Sequence, residues 1–294
     1  MCMSYLFAAL AIHSVVTNGV SVRWFEERVP MSDGVALYTY GVLPSEGMRC
    51  ALILERSPYV RRRTIDGAAY ALSQQSELKR GYAYVRQHVR GSGMSEGELV
   101  PGTNDERRDG LDTLAWLRTL PHYGGEVYLA GASYLATVHW SYLSVAPDDV
   151  KGAWLIPVPE EFWAHPRPDD DWWRTAELAG ARQRRALLDS KISVMMVTGF
   201  YDIYTGGIFD MWRELPLSRR ANCALVVDDG EHGGRRKDID SALDWFDWCR
   251  GKGALKLVRP GETVWLEDGT ETWHHAADMT DGSGREAFDL AFSL

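Results

Sequence analysis

Three residues far apart in the chain could together open a carbonyl group: Ser133 in LAGASYLATVHW, Asp202 in VTGFYDIYTGG and His232 in DDGEHGG. A serine hydroxyl near its free pKa is a weak nucleophile, so it needs a base to take its proton and a third group to orient that base. An imidazole and a carboxylate supply those two functions. Each residue alone has a plainer reading: a small residue where a strand meets a helix, a turn former or cap, a loop histidine. Three of them in this order, each at the end of an apolar run, favour the chemical reading.

The elements that must hold them can be read from periodicity. SVRWFEERVPMSDGVALYTYGVLP alternates apolar and polar residues around Ser32-Asp33-Gly34 and predicts a hairpin. RCALILERSPY is a strand ending at Ser57-Pro58-Tyr59, GAAYALSQQSELKRG a helix stopped at Gly81, and YAYVRQHV another strand. NDERRDGLDTLAWLRTLP reads as a helix with acids in its first turn and Pro121 beyond its end. EVYLAGAS follows as a strand, then helix to about Val145. GAWLIPV, SVMMVTGFYD and ANCALVVDDGEH are further strands, separated by helical DDDWWRTAELAGARQRRALLD and GGIFDMWREL and followed by helical DIDSALDWFDWCRG. Such alternation implies βαβ crossovers, hence an α/β fold class with a mostly parallel sheet and helices on both faces. Residues 1–252 form that domain in this reading, and 253–294, short strands with Gly turns, form a small β appendage.

In open α/β sheets the reactive groups gather at the carboxyl ends of strands. Ser133 follows Gly131 and Ala132, small residues that a sharp strand-to-helix turn requires, and the Tyr134 amide faces developing negative charge. The order Ser, Asp, His is that of the α/β-hydrolase fold. The fifth position of the G-x-S-x-G pattern is Leu135, with the small Ala136 one place later.

The chain resembles the X-Pro dipeptidyl-peptidase and cocaine esterase family of α/β hydrolases. VRGSGMSEGELVPGTNDERRDGLDTLAWL is similar to the family's segment before the nucleophile, GASYLA to its elbow, GFYDIYTGG to its acid motif and RSPY to the strand end that carries an oxyanion tyrosine. The resemblance covers roughly residues 25–160 and 192–294. It implies Ser133 as nucleophile, His232 as general base and then acid, Asp202 as the orienting carboxylate, and the Tyr59 hydroxyl with the Tyr134 amide as the oxyanion hole. The histidine motif lacks the Pro-Trp-Ser that often precedes the family's histidine. The family's helical cap falls in the interval from about Val158 to Lys191, which is short here, and the β appendage corresponds to a remnant of its jelly-roll domain. Both differences predict a more open site.

Phe162, Trp163, Trp172, Trp173, Phe200 and Tyr204 are candidates to line an acyl pocket, against the alternative that a shortened cap packs its aromatics on the core. Asp169-Asp170-Asp171 could meet a substrate ammonium, but a helix cap with favourable dipole charge is the plainer reading. The glycines of RGSGMSEGE have neither the G-x-G-x-x-G spacing nor a P-loop lysine, and the resemblance implies a structural loop, as in the family. His274-His275 lack further ligands and read as surface histidines.

Composition removes other classes. A net charge of −9 and a pI near 5.4 argue against a nucleic-acid binder. The clusters Arg61-Arg62-Arg63 and Arg182 to Arg185 read as solvated faces. Four cysteines without CxxC spacing signal neither zinc nor a disulfide framework, and a reducing, cytoplasmic setting is the default. The apolar run in MCMSYLFAALAIHSVV leaves secretion open, and no other run approaches the ~20 residues of a membrane span. The expected activity is hydrolysis of a small ester or amide through an acyl-enzyme, without metal or cofactor, esters before X-Pro peptides; homo-oligomerisation stays open. The alternative is a binding module or pseudoenzyme on the same fold, or an acyltransferase or cyclase that reuses the triad.

Overall fold

The computed structural model describes residues 11–17, 20–44, 46–59, 66–100, 104–157, 184–232, 239–267 and 269–277. The chain forms two compact units, Met1–Val100 with Arg108–Val127, and Pro101–Arg107 with Tyr128–Leu294.

The first unit carries β1 (Ile12–Thr17), β2 (Val20–Pro30), β3 (Ala36–Leu43), β4 (Cys50–Ser57) and β5 (Tyr82–His88). Their order is β1-β2-β3-β5-β4, antiparallel except for the parallel pair β4 and β5. The expected hairpin is β2 and β3, with Val29 opposite Leu37 and Gly34 at φ 90° in the turn. Part of the N-terminal apolar run is β1, paired with β2. The single helix expected after β4 is broken: α1 (Gly67–Ser73) and α2 (Gln75–Lys79) meet at Gln74, whose φ of −101° and ψ of 23° leave the helical region. Gly67 opens α1 against the Trp24 indole, where a Cβ would lie 2.2 Å from the ring.

A buried polar network ties this unit together. Arg56 Nε donates to Gln87 Oε1 at 2.9 Å, Thr113 Oγ1 to the same oxygen at 2.8 Å, and Arg90 grips Asp109 through two bonds of 3.0 and 2.7 Å. Charges taken out of water must be paired, so these contacts fix the chain around them. Arg90 opens the glycine loop, and a Cβ on Gly91 would fall 2.1 Å from the Leu99 nitrogen. The loop is built for close packing.

α3 (Asn104–Leu117) forms where its acidic first turn and periodicity predict. β6 (Tyr123–Ala132) then leads from the first unit into the second, which adds β7 (Val150–Ile156), β8 (Ser193–Gly199), β9 (Cys223–Asp228), β10 (Thr263–Leu266) and β11 (Trp273–Ala276). The order is β6-β7-β8-β9-β10-β11, with β7 to β10 parallel and β11 antiparallel to β10. β9 is buried throughout, as a parallel strand covered on both faces must be.

Among the described residues, this unit also carries α4 (Tyr134–Trp140), α5 (Thr205–Glu214), α6 (Leu217–Arg220) and α7 (Ala242–Cys249), and residues 184–189 are helical. α7 starts on a capping box in which Ser241 and Asp244 exchange hydrogen bonds. α4 ends at Trp140, short of Val145, and a 3₁₀ turn at Leu143–Val145 follows. Within residues 253–294, β10 pairs in parallel with β9 and so extends the sheet of the second unit. Among the described residues no helix is long and apolar enough to cross a membrane.

Candidate active site

The parallel registers of β7, β8 and β9 place their carboxyl ends at one edge. The Ser133 amide donates to the carbonyl of Ile156, the last residue of β7, at 3.1 Å, which brings the end of β6 to that same edge. Ser133, Asp202 and His232 all leave the sheet there.

Ser133 has φ 59° and ψ −133°, and it is the one non-glycine residue with positive φ among those described. A side chain held there costs about 1–3 kcal/mol, and such strain persists where the surroundings over-determine it. The Ser133 carbonyl accepts the amides of Ala136 at 2.8 Å and Thr137 at 3.2 Å. Gly131 lies so close to the next turn that a Cβ would meet the Leu135 oxygen at 2.4 Å, so glycine is required. The Tyr134 hydroxyl, buried, donates to Glu106 Oε1 in the first turn of α3. His139, fully buried on α4, uses both ring nitrogens, one with the Ala130 carbonyl at 3.2 Å and one with the Tyr142 hydroxyl. It is a core histidine.

Asp202 and His232 meet directly: Nδ1 of the imidazole lies 2.9 Å from Oδ2 of the carboxylate, and Asp202 is 4% exposed. The other carboxylate oxygen accepts the Tyr204 amide at 2.9 Å. With Nδ1 donating to the carboxylate, Nε2 of the neutral ring carries the lone pair of a base. The loops that bear them are laced by backbone bonds, Phe200 N–H to Asp228 O at 2.9 Å and Tyr201 N–H to Gly230 O at 3.2 Å. Gly199 allows this approach, since a Cβ there would lie 1.9 Å from the Gly230 oxygen.

Tyr204, expected to line a pocket, is 8% exposed, and its ring meets the His232 ring edge-on at 5.0 Å between centroids. Phe200 is half-buried beside Asp202, while Tyr201 and Ile203, which flank the acid, are exposed. Tyr59 follows the end of β4 in the first unit, its amide donating to Ser57 Oγ at 3.1 Å and its side chain exposed. Phe162, Trp163, Trp172, Trp173 and Asp169-Asp170-Asp171 lie outside the described residues. Glu106 escaped sequence reasoning because an acid in the first turn of a helix is explained by the dipole alone.

Burial pushes the Cys249 thiol up to about 12 and raises that of Cys223, so neither offers a thiolate at neutral pH. His274 and His275 face Glu267 and Glu262 at 3.2 and 3.7 Å, and no metal-binding cluster occurs among the described residues.

Residues 33–159 match the X-Pro dipeptidyl-peptidase (S15 family). The cocaine esterase of Rhodococcus sp. (strain MB1 Bresler) is 35% identical over 112 residues, which is 38% of this chain and 19% of that protein. An aminopeptidase from the marine sediment archaeon Thaumarchaeota archaeon shares the fold with a TM-score of 0.65 at 17% identity, over 87% of this chain and 59% of that one. A CocE/NonD family hydrolase from Staphylococcus aureus does so with a TM-score of 0.64 at 14% identity, over 92% of this chain and 60% of that one. The chain thus spans about three fifths of those solved chains. Over residues 33–159 the chain thus resembles the X-Pro dipeptidyl-peptidase/cocaine esterase-like family, and it shares the fold of these solved structures.

Proposed function

We propose that this chain is a serine hydrolase that cleaves a small carboxylic ester or amide through an acyl-enzyme, with esters preferred over X-Pro peptides. The observation that carries the reading is the hydrogen bond from His232 to the buried Asp202 at the sheet edge from which the strained Ser133 emerges. Ser133 Oγ attacks the carbonyl carbon as Nε2 of His232 takes its proton. Asp202, held by the Tyr204 amide, stabilises the imidazolium that forms. The Tyr134 amide receives the oxyanion. The imidazolium then protonates the leaving group, the acyl-enzyme forms, and water activated by the same imidazole releases the acid. The chemistry is complete with protein groups and needs no metal or cofactor.

The ester preference is supported by the short interval from about Val158 to Lys191, where the family carries the cap that narrows substrate choice. The test is release of p-nitrophenol from acetyl and butyryl esters, beside an aminoacyl-proline p-nitroanilide, for wild type, Ser133→Ala and His232→Ala. Both variants should lose at least about 10³-fold in turnover. Wild-type activity no higher than theirs would overturn the reading. Labelling of Ser133 by a fluorophosphonate without hydrolysis would point to an acyltransferase, and no labelling to a binding module.

A further inference from the structure

Glu106 and Tyr134 are joined by a hydrogen bond between two buried side chains, 6% and 5% exposed, that come from different helices. We infer that Glu106 is a positioning residue: through the Tyr134 hydroxyl it holds the first residue of α4, and with it the amide assigned to the oxyanion. The inference rests on the serine-hydrolase reading above.

A serine at φ 59° relaxes unless the chain on both sides of it is held. Before Ser133, the strand supplies the restraint: the Ser133 amide is bound to Ile156 O at 3.1 Å and Gly131 is packed against the Leu135 carbonyl. After it, α4 has seven residues, about two turns, and a helix this short does not fix its own first residue. What holds that residue is its side chain. The Tyr134 ring is buried and its hydroxyl ends on Glu106, which sits in the first turn of α3, a helix of 14 residues. A hydroxyl donating to a carboxylate is among the stronger hydrogen bonds and tolerates little displacement. A buried carboxylate without such a donor is costly, so the pair favours one geometry.

An oxyanion donor is effective within about 2.7–3.1 Å of the oxygen that becomes charged. A small rotation of Tyr134 therefore costs chemistry before it costs substrate binding. Glu106 touches no reacting atom; it acts through Tyr134.

The experiment compares Glu106→Ala, Glu106→Gln and Tyr134→Phe, with kcat and KM for p-nitrophenyl butyrate expressed per active site titrated with a fluorophosphonate. The rate of phosphonylation is measured alongside. Glu106→Ala and Tyr134→Phe should lower kcat about 10- to 100-fold, with KM within about threefold and phosphonylation slowed in parallel. Glu106→Gln, which still accepts from the Tyr134 hydroxyl, should recover most of the loss. An unchanged kcat per titrated site, with a lowered Tm, would reduce Glu106 to a structural residue and overturn the inference. Should Glu106→Ala fail to fold, Tyr134→Phe, which deletes one oxygen, decides. Ser133→Ala separates the two levels: if it hydrolyses the ester as fast as wild type, the hydrolase reading falls and this inference with it, whereas an inactive Ser133→Ala beside a fully active Glu106→Ala sinks the inference alone.

Discussion

The carboxylate of Asp202 is divided between two donors, Nδ1 of His232 at 2.9 Å on one oxygen and the Tyr204 amide at 2.9 Å on the other. That division gives a sharp expectation for Asp202→Asn. The Tyr204 N–H needs an acceptor, so the asparagine oxygen takes its side and the NH₂ group faces the imidazole. Nδ1 must then accept, which moves the ring proton to Nε2, where a base is required. Turnover should fall by about 10³- to 10⁴-fold with the fold intact. Steady-state kinetics beside near-ultraviolet circular dichroism check this, and a loss under tenfold would argue that His232 is not the base.

Ser133 carries strain that glycine would release. At φ 59° and ψ −133° a side chain costs about 1–3 kcal/mol, while glycine loses about 0.5–1 kcal/mol more backbone entropy than alanine on folding. Ser133→Gly should therefore be more stable than Ser133→Ala by roughly 0.5–2 kcal/mol, and both should be inactive. Urea denaturation of the two variants measures the difference. Equal midpoints would mean that the turn relaxes around alanine.

His88 makes folding sensitive to acid. Its ring is 2% exposed between Tyr38 and Tyr40, and Nδ1 accepts the Met94 amide at 3.2 Å. Burial, and then the charge of Arg86, push its pKa down to about 4. The unfolded histidine titrates near 6.5, so between about 6.5 and 4 the unfolded chain binds the proton and the native chain does not. Stability should fall by up to about 3 kcal/mol as pH drops through that window. The urea midpoint at pH 7, 5.5 and 4.5 should decline in wild type and flatten in His88→Gln. Parallel declines would assign the acid sensitivity elsewhere.

Much of this architecture was legible in the residues. The strands ending at Ser57, Ala132, Gly199 and Asp228 are short apolar runs bounded by Gly, Pro or Asp, a local signal that survives folding because parallel strands are buried on both faces. α3 was readable from its acidic first turn and its periodicity. Less legible were features set by packing over distance. The break at Gln74 has no proline or glycine to announce it, and the end of α4 at Trp140 precedes any breaker. β10 looked local to a tail of short strands, yet its partner is β9, more than thirty residues earlier.

The site divides in the same way. Chain order and residue type marked Ser133, Asp202 and His232 as candidates, because a strand end followed by a nucleophile, an acid or an imidazole is a local pattern. Their use of each other was not local. The Asp202–His232 bond, the turning of Tyr204 onto the imidazole and the link from Glu106 to Tyr134 each join segments brought together by strand pairing or helix packing. By itself the sequence determined which residues stand at the carboxyl ends of the strands, since hydrophobic periodicity and turn residues act over a few positions. The tertiary structure decided which of them share a proton and which hold the others still, since hydrogen bonds and buried charges act over a few ångströms whatever the distance along the chain.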